Sequence, residues 1–288
     1  MRQGSRYMKQ ETQKFTLHTH TDLFDGKNTA QEMISAARDC GMTAIGISNH
    51  FIMHPDIENT KSFAAAQQRG YSDMYMNDFD KLIDIFSRHY DELRQMATRH
   101  SIRILCGLEV DFFNTAEWHS GFARAIKALR PDYIIGSGHF IEYGGTLCNV
   151  HDMANADPET SDKMLQVYWT KIQQVAQSGL FDWLAHLDLP KKRGLGMDEK
   201  WCDTEAQTIQ TIADANARIE INTKGFGLPC AEPYPSKRIL QHVAQYNIPV
   251  LLSDDAHSVD QIGRHFDVAA QLCRDCGITN FYTPDCVK

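Results

Sequence analysis

Histidine and carboxylate side chains occur where predicted β-strands end. The stretch FTLHTHTDLFDG places His18 and His20 at the end of a short apolar run, with Asp25 shortly after them. Residues i and i+2 of a strand point to the same face, so the two imidazoles lie about 6–7 Å apart on one side. Imidazole and carboxylate together suit Zn²⁺, Mn²⁺ or Fe²⁺. Taken alone, this stretch also fits an ordinary edge strand that carries polar residues.

The same residue types end further predicted strands along the chain. The additional candidates are His50, Glu109, His139, His186, Asp255 and His257. A single histidine at a strand end is more often a hydrogen-bonded polar residue than a ligand. Chance, however, rarely places imidazole or carboxylate at the same end of six of seven strands. Nine ligands are too many for one ion, so the pattern predicts a cluster of two or three divalent transition metals.

Short β-branched runs alternate with amphipathic helical patterns. The predicted strands are FTLHTH, TAIGIS, IRILCGLEV, DYIIGSGH, FDWLAHL, ARIEIN and IPVLLS. The predicted helices cover residues 30–39, 80–99, 118–129, 161–177, 204–215, 236–245 and 259–273. This α/β alternation predicts a parallel barrel or a doubly wound sheet, in which the carboxyl ends of the strands gather at one face. No Gly-rich dinucleotide turn follows the first strand, which disfavours the Rossmann alternative.

The chain is expected to form one domain over residues 1–288, because it contains no repeat, low-complexity segment or linker. Residues 1–14 are candidates for a flexible segment. Two long connections, from residue 51 to about 74 and from 140 to about 158, contain enough aromatic residues to be ordered. Long connections in a compact domain are usually functional. We therefore expect substrate selection to come from them.

Charge and cysteine content limit the partners. The chain has 29 Lys and Arg against 37 Asp and Glu, for a formal charge of −8. This balance argues against broad contact with nucleic acid, whereas bound metals could offset the charge of a small phosphorylated substrate. The sequence contains neither a signal-peptide pattern nor a membrane span, so we expect a cytoplasmic protein with reduced thiols. Cys273 and Cys276 are interpreted as a helix end, and the oligomeric state stays open.

The ordered set of motifs resembles the PHP family, named for polymerase and histidinol phosphatase. The matching motifs, in family order between residues 15 and 258, are HTH with FDG after it, ISNH, GLEVDF, GSGHF, AHLD and SDDAHS. The resemblance implies a distorted seven-stranded (β/α)7 barrel. It also implies a trinuclear metal centre at the C-terminal ends of the strands.

The same resemblance divides the ligands into three groups. They are His18, His20, Glu109 and Asp255 for one metal; Glu109, His139 and His186 for a second; and Asp25, His50 and His257 for a third. Asp254 competes with Asp255, but the D-x-H spacing to His257 favours Asp255. His119 and His151 compete with His139, and neither of them ends a strand.

Residues 220–240 and 251–272 are most similar to monofunctional histidinol-phosphate phosphatases, whereas HFIEYGGTLCNVHD departs from the expected pattern. We therefore predict hydrolysis of L-histidinol phosphate to L-histidinol and phosphate, through attack on phosphorus by a metal-bridging hydroxide. One alternative is another phosphoesterase of the family, acting on a different small phosphomonoester or a nucleotide. An amidohydrolase-type barrel and a non-catalytic metal-binding domain are further alternatives.

Candidate catalytic and substrate contacts extend beyond the metal ligands. Lys191, Lys192 and Arg193 follow the fifth strand, and Arg193 is preferred for phosphate because its guanidinium can pair with two oxygens. A solvated charge run explains Lys191 and Lys192 nearly as well. Glu109, as the metal bridge, and His257, as a general acid, complete the catalytic candidates. The candidates around the imidazole and amine of the substrate are His54, Tyr71, Phe140, Tyr143 and Asn222, each individually more typical of a structural residue.

Overall fold

Seven parallel strands form a nearly closed barrel in the computed structural model, which describes residues 13–287. They are β1 (Phe15–Thr16), β2 (Ala44–Ile47), β3 (Arg103–Asp111), β4 (Tyr133–Ser137), β5 (Trp183–Leu184), β6 (Ile219–Asn222) and β7 (Val250–Ser253). The strands neighbour one another in chain order, without the reversal that defines a doubly wound sheet. The predicted barrel is thus confirmed. Most of segment 1–14, predicted as a flexible segment, lies outside the described residues.

The barrel closes where the chain segments directly after β1 and β7 meet, and this line of contact is the seam. Thr19 forms a parallel bridge with Ala256. The His20 amide donates to the Ala256 carbonyl at 2.8 Å, and the Ala256 amide donates to the His18 carbonyl at 3.2 Å. The Thr16 hydroxyl adds a 2.8 Å hydrogen bond to Asp254. The seam therefore runs through the segments that carry the first and last predicted ligands.

Helices surround the barrel. They are α1 (Ala30–Asp39), α2 (Lys61–Arg69), α3 (Phe79–Ala97), α4 (Ala116–Leu129), α5 (Val150–Asn155), α6 (Pro158–Ser178), α7 (Cys202–Asp214), α8 (Lys237–Gln245) and α9 (Phe266–Asp275). Sequence capping signals explain several ends: Thr29 and Glu32 form a capping box before α1, and Gly179 ends α6 in the left-handed region. Across residues 13–287, no helix combines the length and apolar character that a membrane span requires.

The helix predicted for residues 259–273 is instead broken into two pieces. A single turn covers Val259–Gln261, and α9 begins only at Phe266. Between them, Gly263 and His265 have φ values of 67° and 58°, which a right-handed helix cannot contain. The other end agrees with the prediction: Cys273 lies in the last turns of α9 and Cys276 directly follows the helix.

An apolar cluster to which six of the seven strands contribute packs within the barrel. The ring of Tyr133 stacks on Trp183 with centroids 5.0 Å apart, and its hydroxyl donates to the Leu17 carbonyl at 2.6 Å. A Cβ at Gly46 would lie 2.0 Å from the Tyr133 hydroxyl, and a Cβ at Gly107 would lie 2.1 Å from the Tyr133 ring. These two positions therefore need glycine, because any larger residue would displace the ring that fills the barrel.

The two long connections are ordered, as expected. The first contains a short strand, His50–Met53, which pairs with β3 at Glu109, and then α2. The second contains a hairpin, Phe140–Tyr143 with Thr146–Asn149, followed by α5. Both connections contribute side chains to the cavity at the C-terminal mouth of the barrel.

Candidate metal centre

The nine side chains predicted as ligands lie together at the C-terminal ends of the strands. Ligand atoms within 4.8 Å of one another form three groups: His20, Asp25, His50 and His257; His18, His20 and Glu109; and His50, Glu109 and His139. His186 Nε2 lies 2.9 Å from Glu109 Oε1, and Asp255 Oδ1 lies 3.3 Å from His20 Nε2. The strand-end pattern thus corresponds to one continuous cluster of imidazole and carboxylate groups.

Glu109 lies at the centre of the cluster, and its two oxygens face different histidines. Oε1 is 2.9 Å from His186 Nε2 and 3.4 Å from His139 Nε2. Oε2 is 2.7 Å from His50 Nδ1, 3.4 Å from His18 Nε2 and 3.6 Å from His20 Nε2. A carboxylate in this arrangement can bridge two neighbouring ions. It comes from the last part of β3, where Leu108 and Val110 on either side are fully buried.

Several polar atoms of the cluster are buried without a hydrogen bond to any described residue. They are His18 Nε2, His20 Nδ1 and Nε2, Asp25 Oδ1 and His186 Nδ1. Each such atom costs about 1–3 kcal/mol when it has no partner. Metal coordination would offset that cost for the atoms that face the centre. The donors are imidazole nitrogens and carboxylate oxygens, which fit divalent transition metals.

Protonation in the cluster follows from burial and from close opposite charges. Burial disfavours a charged Glu109, but His50, His139 and His18 outweigh it and hold the pKa of this carboxyl well below its usual value. Burial lowers the pKa of His20 to about 3. The ring is therefore neutral, which is the form of an imidazole that can bind a metal. Burial acts in the same direction on His50, but Glu109 and Asp25 outweigh it and raise the pKa to about 10. In the metal-free chain a proton on His50 therefore supplies positive charge to the carboxylates.

The two consecutive aspartates after β7 point in different directions. Asp255 faces the cluster, and its φ of 46° turns the backbone there into the left-handed region. Asp254 faces away: its carboxylate accepts hydrogen bonds from the Thr16 hydroxyl at 2.8 Å and the Gly263 amide at 2.6 Å. Burial raises the pKa of Asp254 to about 6. The structure thus brings Asp255, rather than Asp254, to the other ligands.

β6 supplies a contact that the sequence analysis missed. Glu220 is fully buried, and its Oε2 lies 2.9 Å from His18 Nδ1. Its Oε1 accepts from the Asn222 side chain at 2.8 Å. A partner on Nδ1 fixes the imidazole so that Nε2 faces the metal position. A glutamate between two isoleucines in ARIEIN was the sequence signal, since a buried charge in an apolar strand needs a partner.

A cavity of about 440 Å³ opens above the cluster, and its lining includes three lysines, Lys61, Lys192 and Lys224. Lys224 Nζ lies 3.0 Å from Asp255 Oδ1 and 3.3 Å from His257 Nδ1. Lys192 is half-buried; burial first, and then the nearby charge of Lys224, lowers its pKa to about 8. The sequence analysis weighed Lys192 but did not identify Lys224.

Other predicted phosphate contacts lie elsewhere. Lys191 is 3% exposed and turns away from the cavity, with Nζ 2.9 Å from Asp188 Oδ2 and 3.4 Å from Glu232 Oε1. Arg193 is exposed and its Nη2 lies 2.8 Å from His151 Nε2 at the outer edge of the cavity. The residue of this segment that lines the cavity is therefore Lys192 rather than Arg193, which the sequence analysis preferred.

Of the five residues predicted to contact the rest of the substrate, two line the cavity and three do not. Tyr71 and Phe140 line the cavity. Asn222 is buried beneath the cluster and donates to Asp255 Oδ2 at 3.2 Å. His54 lies beyond the cavity wall, 3.2 Å from Glu142, and Tyr143 belongs to the hairpin outside the lining. Of the rivals for His139, His151 is at the cavity edge and His119 lies on α4, next to Asn114.

A parallel α/β barrel with a histidine–carboxylate cluster at its C-terminal mouth defines a metal-binding barrel protein. The chain belongs to the PHP domain family, whose sequence profile matches residues 16–224. A protein of Deinococcus radiodurans named "Probable histidinol-phosphatase" is 27% identical over 266 residues, covering 90% of this chain and 92% of that protein. A protein of the same name from Schizosaccharomyces pombe is 34% identical over 225 residues, covering 70% of this chain and 69% of that protein.

A solved structure has the same fold. It is histidinol phosphate phosphatase from Lactococcus lactis subsp. lactis, complexed with zinc, L-histidinol and phosphate. Its TM-score is 0.69 at 17% sequence identity, covering 96% of this chain and 98% of that chain. The similarity at this identity concerns the fold, which agrees with the barrel described above.

Proposed function

We propose that this protein is a metal-dependent phosphomonoesterase that converts L-histidinol phosphate and water to L-histidinol and phosphate. The observation that carries this proposal is Glu109, whose two oxygens face separate groups of histidines at the base of a cavity lined by Lys192 and Lys224. Such a centre suits the transfer of a phosphoryl group to water. The names of the two curated relatives support the choice of substrate. A cytoplasmic setting remains a prediction from the sequence.

The proposed ligand groups follow the sequence assignment and are supported by the distances in the cluster. They are His18, His20, Glu109 and Asp255; Glu109, His139 and His186; and Asp25, His50 and His257. We propose two or three divalent ions, drawn from zinc, manganese and iron. When bound, these ions would lower the pKa of water and offset negative charge on the phosphoryl oxygens.

The protein's own cations would hold the phosphate against the centre. Lys192 and Lys224 both line the cavity, and Lys224 lies within 3.0 Å of the proposed ligand Asp255. We propose that their ammonium groups donate hydrogen bonds to phosphate oxygens and orient the ester bond. Arg193 reaches only the rim, so we assign it a role in attracting the substrate.

His257 is a poor general acid in this arrangement. Its Nε2 lies 3.3 Å from Asp25 Oδ2, and its Nδ1 lies 3.0 Å from the Asp255 carbonyl. Both ring nitrogens therefore have partners already. We propose that His257 is a metal ligand, and that the leaving alkoxide receives its proton from another donor in the cavity.

A second candidate function is hydrolysis of a more highly charged phosphomonoester, such as a nucleotide. The observation that favours it is a further pair of cationic side chains, Lys61 and Arg69, which line the outer part of the cavity. A second phosphate or a ribose-linked anion could contact them. L-Histidinol phosphate has no second anion for this pair.

Turnover of a substrate panel tests the proposed function. The purified chain, loaded with zinc or manganese, is assayed with L-histidinol phosphate, p-nitrophenyl phosphate and nucleoside monophosphates. We expect kcat/KM for L-histidinol phosphate to exceed that for p-nitrophenyl phosphate by about 100-fold or more, because a fitted site discriminates by its polar contacts. Equal values for these two esters would contradict the substrate assignment. A higher kcat/KM for a nucleotide would favour the second candidate.

A further inference from the structure

The outer wall of the cavity contains one carboxylate that the metal cluster does not use. Among the described residues that line the cavity, the acidic ones are Asp25, Asp152 and Asp255. Asp25 and Asp255 face the histidines of the cluster. Asp152 belongs to α5, in the second long connection. It is therefore the only lining acid of residues 13–287 that remains for a cationic group of the substrate.

The position of Asp152 is fixed by the helix that carries it. Its Oδ2 accepts from the Asn149 amide at 3.0 Å, and its own amide lies 3.2 Å from Asn149 Oδ1. These two contacts form a capping box at the start of α5. Because one carboxylate oxygen is used by the cap, the other, Oδ1, is held in a defined place at the cavity wall.

Oδ1 of Asp152 has only a weak partner. Lys61 Nζ lies 3.6 Å away, and the Lys61 side chain is 86% exposed whereas the Asp152 side chain is 19% exposed. An ion pair with such an exposed lysine contributes little, because water and salt screen it. A cation that enters the cavity with the substrate can take the place of Lys61 at a less screened position.

We propose that Asp152 determines specificity by binding a protonated primary amine of the substrate while the phosphate lies at the metal centre. This inference rests on the proposed function and names the group that the cavity recognises. The lining of the same cavity offers Tyr71, Met74 and Tyr75 to an aromatic or apolar portion of the substrate. The cavity thus has a phosphate end, an ammonium contact and an apolar surface. This arrangement matches an amino-alcohol phosphate that carries a ring.

The substitution D152N tests the contact with little change in shape. Asparagine keeps an oxygen that can accept from the Asn149 amide, so the cap of α5 is retained. Two esters are compared: L-histidinol phosphate and its deamino analogue, which has hydrogen in place of the amine. The wild-type enzyme is expected to prefer the amine ester. In D152N the ratio of kcat/KM for the two esters is expected to fall by about 10- to 100-fold, since a charge-assisted hydrogen bond is lost.

The matched control is E159Q, which also removes one negative charge close in sequence. Glu159 is on α6, its side chain is 80% exposed, and its Oε1 pairs with Lys163 at 2.7 Å. It does not line the cavity. We expect the kcat/KM ratio of E159Q to equal that of the wild type. Zinc content and helical circular dichroism of both variants verify that the fold and the centre are intact.

The outcomes separate this inference from the proposed function. A wild-type enzyme that hydrolyses both esters equally well, or a D152N variant that loses activity equally on both, overturns the role of Asp152 and leaves the phosphatase assignment standing. A wild-type enzyme that hydrolyses neither ester overturns both. If D152N does not fold, K61Q tests the same contact. Removal of the competing lysine is expected to raise the ratio severalfold, and an unchanged ratio contradicts the inference.

Discussion

At the scale of single residues, the proposed centre depends on the ligands and also on neighbouring side chains that orient them. His18 is an example, because Glu220 contacts its Nδ1 at 2.9 Å and leaves Nε2 facing Glu109. A glutamine at position 220 could place its amide nitrogen next to Nδ1. That arrangement would favour the tautomer with hydrogen on Nε2, which cannot bind a metal.

We therefore predict that E220Q weakens zinc binding by about 10- to 100-fold. The measurement is the zinc Kd, determined by competition with a chelator of known affinity. E205Q is the matched control, because Glu205 is 2% exposed but its carboxylate pairs with Arg238 outside the cluster. A zinc Kd for E220Q within twofold of the wild type would show that Glu220 does not orient His18.

The sequence could predict which histidines and carboxylates lie together at the mouth, but not every lysine near them. The carboxyl ends of parallel strands gather at one face of a barrel. A residue at a predicted strand end, such as His18, His139 or His186, could therefore be placed at the mouth from the sequence alone. Lys191 and Lys192 lie in a single 3₁₀ turn, Leu189–Arg193, where successive side chains point about 120° apart. Which of them faces the cavity depends on how that turn packs against Asp188 and Tyr234. Local sequence patterns do not contain that information.

At the scale of elements, α6 is coupled to the end of β3 through a buried ion pair. Lys171 Nζ lies 2.7 Å from Asp111 Oδ1 and also donates to the Phe140 carbonyl. Asp111 Oδ2 accepts from the amides of His139 and Phe140 at 3.2 and 3.1 Å. The helix thus anchors the segment that carries His139. Its lysine contributes to the centre although it contacts no proposed ligand side chain.

Replacing this lysine should reduce both stability and activity. In K171M the Asp111 carboxylate stays buried without its cation, and we expect the free energy of unfolding to fall by about 3–5 kcal/mol. We also expect a lower kcat, because the backbone at His139 is less constrained. Urea denaturation and steady-state kinetics measure the two effects.

The control on the same helix is K163M, since Lys163 forms an exposed pair with Glu159. Its unfolding midpoint should stay close to that of the wild type. The double variant K171M/D111N should be less destabilised than the two single changes added together. Additive losses would indicate that Lys171 and Asp111 act independently.

At the scale of the whole molecule, the barrel topology was accessible from the sequence because each strand has a clear apolar pattern. The extra strands at the mouth were not, since His50–Met53 pairs only with residues distant in sequence. The break before α9 was also missed. It requires positive φ at His265, a residue that gives no such signal. Long-range pairing and unusual backbone conformation therefore limited the prediction more than composition did.

Metal removal should lower the thermal stability of the entire chain. The proposed ligands come from six of the seven strand ends, and ions that bind only the folded state stabilise it by about 2.7 kcal/mol at 100 times the Kd. For a chain of this size, we expect Tm to fall by about 5–10 °C after chelation. Differential scanning calorimetry before chelation, after it and after zinc is restored measures the change.

The double variant H18A/H20A provides the control for this experiment. It lacks two proposed ligands, so its Tm should no longer respond to added zinc. If the wild type melts at the same temperature with and without metal, the centre does not contribute to folding stability.

The seam between β1 and β7 has a consequence for how the centre is assembled during synthesis. It joins positions as far apart in sequence as Thr16 and Asp254, which are separated by 238 residues. Each of the three proposed ligand groups combines residues before position 140 with residues after position 185. Two of the groups need Asp255 or His257, which are synthesised more than 230 residues after His18 and His20. Loading of these two groups therefore requires synthesis as far as Asp255 or His257, and a product truncated before Asp255 cannot form the complete centre.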